Sequence, residues 1–330
     1  MGAFLRGVAS LLAALMLPGC ETLAYYAQAI GGQLSLMARA RPLETLLADP
    51  ATPQSLHERL ALARSIREFA VRELKLPDNR SYRSYAELDR PYAVWNVVAA
   101  PEFSLAPVQS CFPVAGCVSY RGFFAREDAE RYAEGLRMTG HDVYVHGVPA
   151  YSTLGRFDDP LLSTFIGYSD AELARLVFHE LAHQVVYVKG DSTFNESFAV
   201  TVEREGLRRW LAATGSTSDL EEFFELQKRK ETFLSEIGQS RTRLRALYGT
   251  PLAPEKMRER KKLESDALRE NLRGNAGFKN VSPNNAFLAS FATYSQLVPA
   301  FEKLLAEQGG DLERFYARVR ELAAKKASPN

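Results

Sequence analysis

Two histidines four residues apart, in His179-Glu180-Leu181-Ala182-His183, constrain this chain more than any other feature. On a helix, residues i and i+4 share a face, so both imidazoles point the same way and can reach one ion. Glu180 lies about one position round and can stand beside a water at that ion and take its proton. Only five histidines occur in 330 residues, so two at ligand spacing form a concentrated signal. The run from Leu173 to Val188 is apolar enough to be a buried helix. The bare string has a blander reading, two imidazoles satisfied in a core. The residues downstream of the motif argue against it.

Catalytic zinc takes three protein ligands and leaves one position for water. Beyond the histidines runs Lys189-Gly190-Asp191-Ser192-Thr193-Phe194-Asn195-Glu196-Ser197-Phe198-Ala199. Gly190 reads as a helix stop, and Asp191, Ser192 or Thr193 as the cap of a new helix. With a tight loop the second helix returns antiparallel beside the first. The chain then descends about 10 Å from His183 to Gly190, and Glu196 recovers about 7.5 Å. A long carboxylate covers the difference. Glu203 is the rival, but in a tight hairpin it climbs about 18 Å and overshoots the histidines. Thr193-x-x-Glu196 also fits a capping box, which competes for the same carboxylate. The need for a third ligand favours Glu196.

With these residues in place the sequence resembles the gluzincin metallopeptidases. Asn195-Glu196-Ser197-Phe198-Ala199 is similar to the stretch that carries their third zinc ligand, with a small residue one turn on. The resemblance spans about thirty residues, so it fixes chemistry better than fold. It implies one Zn2+ held by His179, His183 and Glu196, with Glu180 as general base and proton shuttle.

The first residues read as an address. Arg6 precedes an apolar run from Val8 to Leu17 that ends in Leu17-Pro18-Gly19-Cys20. The run is shorter than the roughly 20 residues a span needs. Residues 1–19 are therefore expected to be a signal peptide. Leu-x-Gly-Cys resembles the bacterial lipoprotein cleavage box, with Pro18 an unusual occupant, which implies cleavage before Cys20 and lipidation of that residue. A simple secretory signal with an incidental thiol is the alternative. Met1-Gly2 is no myristoylation signal, because Arg6 stands where Ser or Thr is needed. Glu21 follows the cysteine where Asp would resemble an inner-membrane retention signal. The expected location is the bacterial outer membrane, facing the periplasm. In an exported chain the close pair Cys111 and Cys117 is most simply a disulfide.

The net charge is +1 and no dense basic stretch is interleaved with aromatics, so nucleic-acid binding has no electrostatic support. Residues 20–50 are expected to form a lipid-anchored tether or helix, 51–215 a metallopeptidase core and 216–330 a helical C-terminal subdomain. Ser55 to Leu76 and Ala125 to Met138 have helical spacing, while Tyr92 to Val98, Cys117 to Tyr120 and Asp142 to Val148 read as strands. Ser218 to Leu247 and Pro254 to Leu272 suggest a long helical hairpin. Asn284 to Glu307, which Pro299 would kink or break, and Asp311 to Lys326 complete the helices. The expected class is α+β, predominantly helical, with a small β-sheet beside a gluzincin-like zinc helix pair.

Several further tracts resemble a bacterial family labelled putative aminopeptidases, typically lipoproteins. They are Cys111-Phe112-Pro113-Val114-Ala115-Gly116-Cys117 with Tyr120-Arg121-Gly122, then Ala150-Tyr151-Ser152-Thr153-Leu154-Gly155 with Phe157-Asp158-Asp159-Pro160, and Asn284-Asn285-Ala286 with Ser290-Phe291-Ala292-Thr293-Tyr294. Arg156 stands where the resemblance implies an aromatic. The resemblance also implies a peptide substrate and an exopeptidase in the cell envelope. Gly147 to Gly155, with Tyr151, Ser152 and Gly155, is expected to form a strand edge to which substrate adds, the plain alternative being an ordinary edge strand. Tyr294 is the expected oxyanion donor, with Tyr248, His141 and His146 as weaker candidates. Glu102, Asp158 and Asp159 are acids available to hold a free amine. The alternatives are an endopeptidase, or a non-catalytic envelope assembly factor or chaperone. In the latter, Asp191, His141 or His146 closes the metal site as a fourth ligand.

Overall fold

The computed structural model describes residues 22–112, 116–215, 217–273, 282–291 and 296–327. The expected signal segment, Cys20 and Tyr294 lie outside the described residues. Among those described, the chain is predominantly helical with small sheets, in keeping with an α+β class.

Helix α1 (22–38) leads into β1 (Arg41–Pro42), α2 (Leu43–Ala48) and α3 (Gln54–Arg72). On α3, Leu60, Ala63, Ile66 and Ala70 recur at three- and four-residue steps and all are buried, the stripe a core-facing helix needs. Strand β2 (Ser84–Ala86) pairs antiparallel with β1 and parallel with β8 (Leu161–Leu162).

The second sheet is built on β3 (Val94–Pro101). It pairs antiparallel with β6 (Arg121–Phe123) on one side and β7 (His141–Val148) on the other. Side chains alternate across a strand. Val97 and Ala99 therefore meet Ala129 and Ala133 of α4 (Arg126–Met138), while Val98 and Ala100 meet Ala286 and Ala289 of α10 (Asn285–Phe291). A strand covered on both faces reads as a continuous apolar run, as Val97 to Ala100 does. Strands β4 (Ser110–Phe112) and β5 (Gly116–Val118) form a small hairpin bridged by the Cys111–Cys117 disulfide.

After α5 (Ser163–Ile166) come α6 (Asp170–Ala182) and α7 (Ser192–Thr214), which pack along one another. Gly206 allows the close approach: a Cβ there would lie 2.7 Å from Leu74 and 2.9 Å from Phe178. Helices α8 (Thr217–Tyr248) and α9 (Pro254–Leu272) form the expected hairpin. Arg243 bonds Glu264 and Asn271 bonds Glu236, so moving forward along α9 meets residues further back along α8, the antiparallel sense. Helices α11 (Val298–Glu307) and α12 (Leu312–Ala327) close the chain over the core. That core draws on Leu36, Leu60, Phe178, Phe198, Phe301 and Phe315, spread from α1 to α12. Among the described residues no helix is long and apolar enough to cross a membrane.

The structure departs from three expectations. Helix α6 ends at Ala182 rather than running to Val188. The side chain of Asn195 takes both backbone groups of Val188, at 2.7 Å and 2.8 Å, so that backbone finds partners outside a helix. Pro299 sits in the first turn of α11, where its missing N–H costs nothing, rather than kinking one long helix. The sheet sharing a core with α6 is β1–β2–β8, through Tyr85, Ala86, Leu161 and Leu162. The β6–β3–β7 sheet has both faces taken by α4 and α10.

Candidate metal centre

The centre is assembled by α6, the loop after it and the first turns of α7. Ser169 caps α6, accepting from the Glu172 N–H, which anchors the helix N-terminus. His179 lies in the last turn and His183 is the residue that ends the helix. Gly190 has φ +82°, a left-handed turn that returns the chain. Asp191 then caps α7 by accepting from the Phe194 N–H at 2.9 Å. The capping task falls to Asp191, and Glu196 is left free to face the histidines.

The Nε2 atoms of His179 and His183 are 3.2 Å apart. The Glu196 carboxylate lies 3.4 Å from the first and 3.7 Å from the second. A tetrahedral ion bound at about 2.0–2.2 Å spaces its donors about 3.3–3.6 Å apart, so the three groups match one such ion. His179, His183 and Glu196 could hold a metal ion, and they are the one such cluster among the described residues. At this spacing a proton bridges the two nitrogens, and a cation can take its place.

Glu203 stands behind this set rather than in it. Its carboxylate lies 2.8 Å from Nδ1 of His179 and 3.0 Å from Arg175, with Lys230 at 3.7 Å. Burial would raise its pKa, but Arg175, Lys230 and His179 outweigh that and hold it well below the carboxylate range. An ionised carboxylate only accepts, so Nδ1 of His179 carries the proton and Nε2 presents its lone pair to the centre. The stability this charge adds is present above the unfolded carboxylate value of about 4.3 and is lost as pH falls through the folded value.

Burial would lower the pKa of His179, yet the Glu196 and Glu203 carboxylates raise it to about 10. A cation would exchange with the proton they hold there. Burial lowers His183 to about 4, so it is neutral, and its Nδ1 has no hydrogen-bond partner among the described residues. Burial raises Glu180 to about 7 against the opposing pull of His179, with Glu196 and Asp159 adding to the rise. That value suits a group that must both accept and return a proton near neutrality.

The chain matches the family model described as "Putative aminopeptidase" over residues 24–329. It belongs to the putative aminopeptidase family. No curated protein and no solved structure matches it. Membership in this aminopeptidase family suggests a peptidase and hence a peptide substrate.

In this aminopeptidase-family chain the other singled-out residues are dispersed. Residues 149–160 are not a strand edge: β7 stops at Val148, and Pro149, which has no N–H to continue a ladder, begins a folded loop. Asp159 accepts from the N–H and hydroxyl of Thr153, closing that loop. Tyr151 donates to Gln33, Ser152 accepts from the Leu154 N–H, and a Cβ at Gly155 would sit 3.4 Å from Gln184, the neighbour of His183. Glu102 is bound by Arg258 at 2.6 Å, Tyr248 donates to Asn285, and His146 stacks on Tyr144. His141 bonds Thr139. Asp191 caps α7 and pairs with Lys326 at 2.7 Å. None of His141, His146 and Asp191 joins the three-donor cluster.

Two residues outside the three-donor cluster interact electrostatically with the carboxylates of the centre. Tyr120, 40% exposed, has its phenol pKa raised first by desolvation and then by Glu196, Tyr187 and Glu180. Asp159 is 4% exposed, and desolvation raises it to about 6. Both lie in family-like tracts, Tyr120-Arg121-Gly122 and Phe157-Asp158-Asp159-Pro160, and Asp159 is among the acids singled out from the sequence.

Proposed function

We propose that this chain is a zinc-dependent aminopeptidase of the bacterial cell envelope, of gluzincin type. The observation that carries the reading is the convergence of His179, His183 and Glu196 at donor spacing, with Glu180 beside them near neutrality. His179, His183 and Glu196 would hold the ion. When bound, zinc acidifies a water and polarises the scissile carbonyl. Glu180 accepts the proton of the attacking water and returns it to the leaving amine. Tyr120, kept protonated first by desolvation and then by the field of Glu196 and Glu180, is proposed as a donor to the developing oxyanion. Tyr294, the donor expected from the sequence, lies outside the described residues. Buried Asp159, in the field of Glu180, is the acid best placed to receive a free substrate amine. Anchoring is proposed through lipid on Cys20, facing the periplasm.

The test of exopeptidase action is a pair of substrates differing only at the amino terminus. Free short peptides are cleaved from their first residue, and N-acetylated versions are not. Equal cleavage of the acetylated peptides makes the enzyme an endopeptidase. The rate on free peptides falls as pH drops through a value at or below about 7, because protonated Glu180 cannot accept.

A further inference from the structure

Helix α1 turns an uncharged, apolar stripe outward. Its exposed face includes Leu23, Ile30 and Leu34, which are 71%, 59% and 60% exposed. At 100° per residue these three fall within about 40° of arc. Ala27 and Gly31 lie beside them, also exposed, and no Asp, Glu, Lys or Arg occurs in residues 22–38. The two glutamines point inward, where they bond other segments. Gln28 donates to the Gly122 carbonyl at 3.4 Å and accepts from the Phe124 N–H at 3.2 Å, and Gln33 accepts from Tyr151. Gly32 lies against the Phe124 ring, and Leu36 enters the core. A helix facing water shows the reverse arrangement.

We infer that the outward face of α1 lies on the surface of a lipid bilayer. An uncharged face with large apolar side chains separated by small ones fits the headgroup–acyl boundary. The helix is already formed at Thr22, the first described residue, two positions after Cys20. Lipid on that cysteine holds the first turn within about 7 Å of the headgroups. This rests on the proposed anchoring at Cys20 and not on the metal chemistry. The inner face of α1 grips Gly122, Phe124 and Tyr151, which flank Tyr120 and the 149–160 loop. A helix flat on the membrane therefore fixes how the centre is presented to the periplasm.

The test uses the full lipidated chain in phosphatidylethanolamine–phosphatidylglycerol vesicles with brominated acyl chains, reading tryptophan fluorescence. Emission of the Leu34→Trp and Ala27→Trp variants, after subtraction of the unsubstituted chain, is quenched about twofold or more. A Leu263→Trp variant, on the exposed side of α9, is not. Equal quenching at Leu34 and Leu263 on vesicle-bound protein overturns the inference while leaving the anchor intact. Failure of the chain to sediment with vesicles overturns both. Unquenched emission from a dimer assigns the face to a second copy instead. Peptide hydrolysis measured on the same samples reports on the peptidase reading separately.

Discussion

Replacing Glu180 with glutamine lowers kcat/KM on unblocked peptides by about 10²–10⁴-fold and leaves the metal content at the wild-type level. The substitution keeps the size and one acceptor of the side chain but removes its ability to take a proton. Glu180 is not one of the three clustered donors, so binding of the ion does not depend on it. Burial has moved this carboxyl to about 7, where it can be deprotonated for attack and protonated for departure of the amine. The acid limb of the pH profile disappears with it. Unchanged turnover removes Glu180 as the base. Loss of metal from the variant makes it a ligand instead.

The second large effect falls on Glu203, which does not face the ion at all. Glu203→Gln weakens metal binding about 10–100-fold, the usual result when the partner of a ligating histidine is altered. Glutamine can present its NH2 group to Nδ1, which releases the tautomer that aims Nε2 at the centre. Glu203→Ala also destabilises the apo protein by about 3 kcal/mol, at the low end for breaking a buried ion pair. The low end applies because Arg175 keeps Glu172 at 3.0 Å. Chelator competition reads the first effect and guanidinium unfolding the second. Wild-type metal affinity in Glu203→Gln makes this carboxylate a core ion pair with no bearing on the site.

What is legible in the sequence is what depends on local geometry. The i, i+4 histidines and the return to Glu196 follow from helix rise and turn chemistry, and α6 and α7 place them together, although Gly190 turns the chain within a loop and does not stop a helix. The α8–α9 hairpin is equally visible, because its two helices are long and joined by a Gly-Thr-Pro turn. Glu203 is a different case, a rival ligand by spacing that turns out to support one. Two turns beyond Glu196 it shares that residue's helix face, so the signal is present. Reach to the ion is only half of the requirement, since the far nitrogen of His179 also needs a partner. Tyr120 and Asp159 could not be placed, because they arrive from loops whose position depends on long-range packing. The end of α6 is hidden for a similar reason: a single side chain, Asn195, supplies what the next helical turn would have supplied.

The central claim is one cation shared by two imidazoles and a carboxylate, with one vertex open. Anomalous diffraction at the zinc edge from zinc-loaded crystals tests this directly. One peak is expected about 2.0–2.2 Å from Nε2 of His179, Nε2 of His183 and a Glu196 oxygen, with solvent at the fourth position. A peak elsewhere, imidazoles turned apart, or a fourth side chain closing the vertex contradicts it.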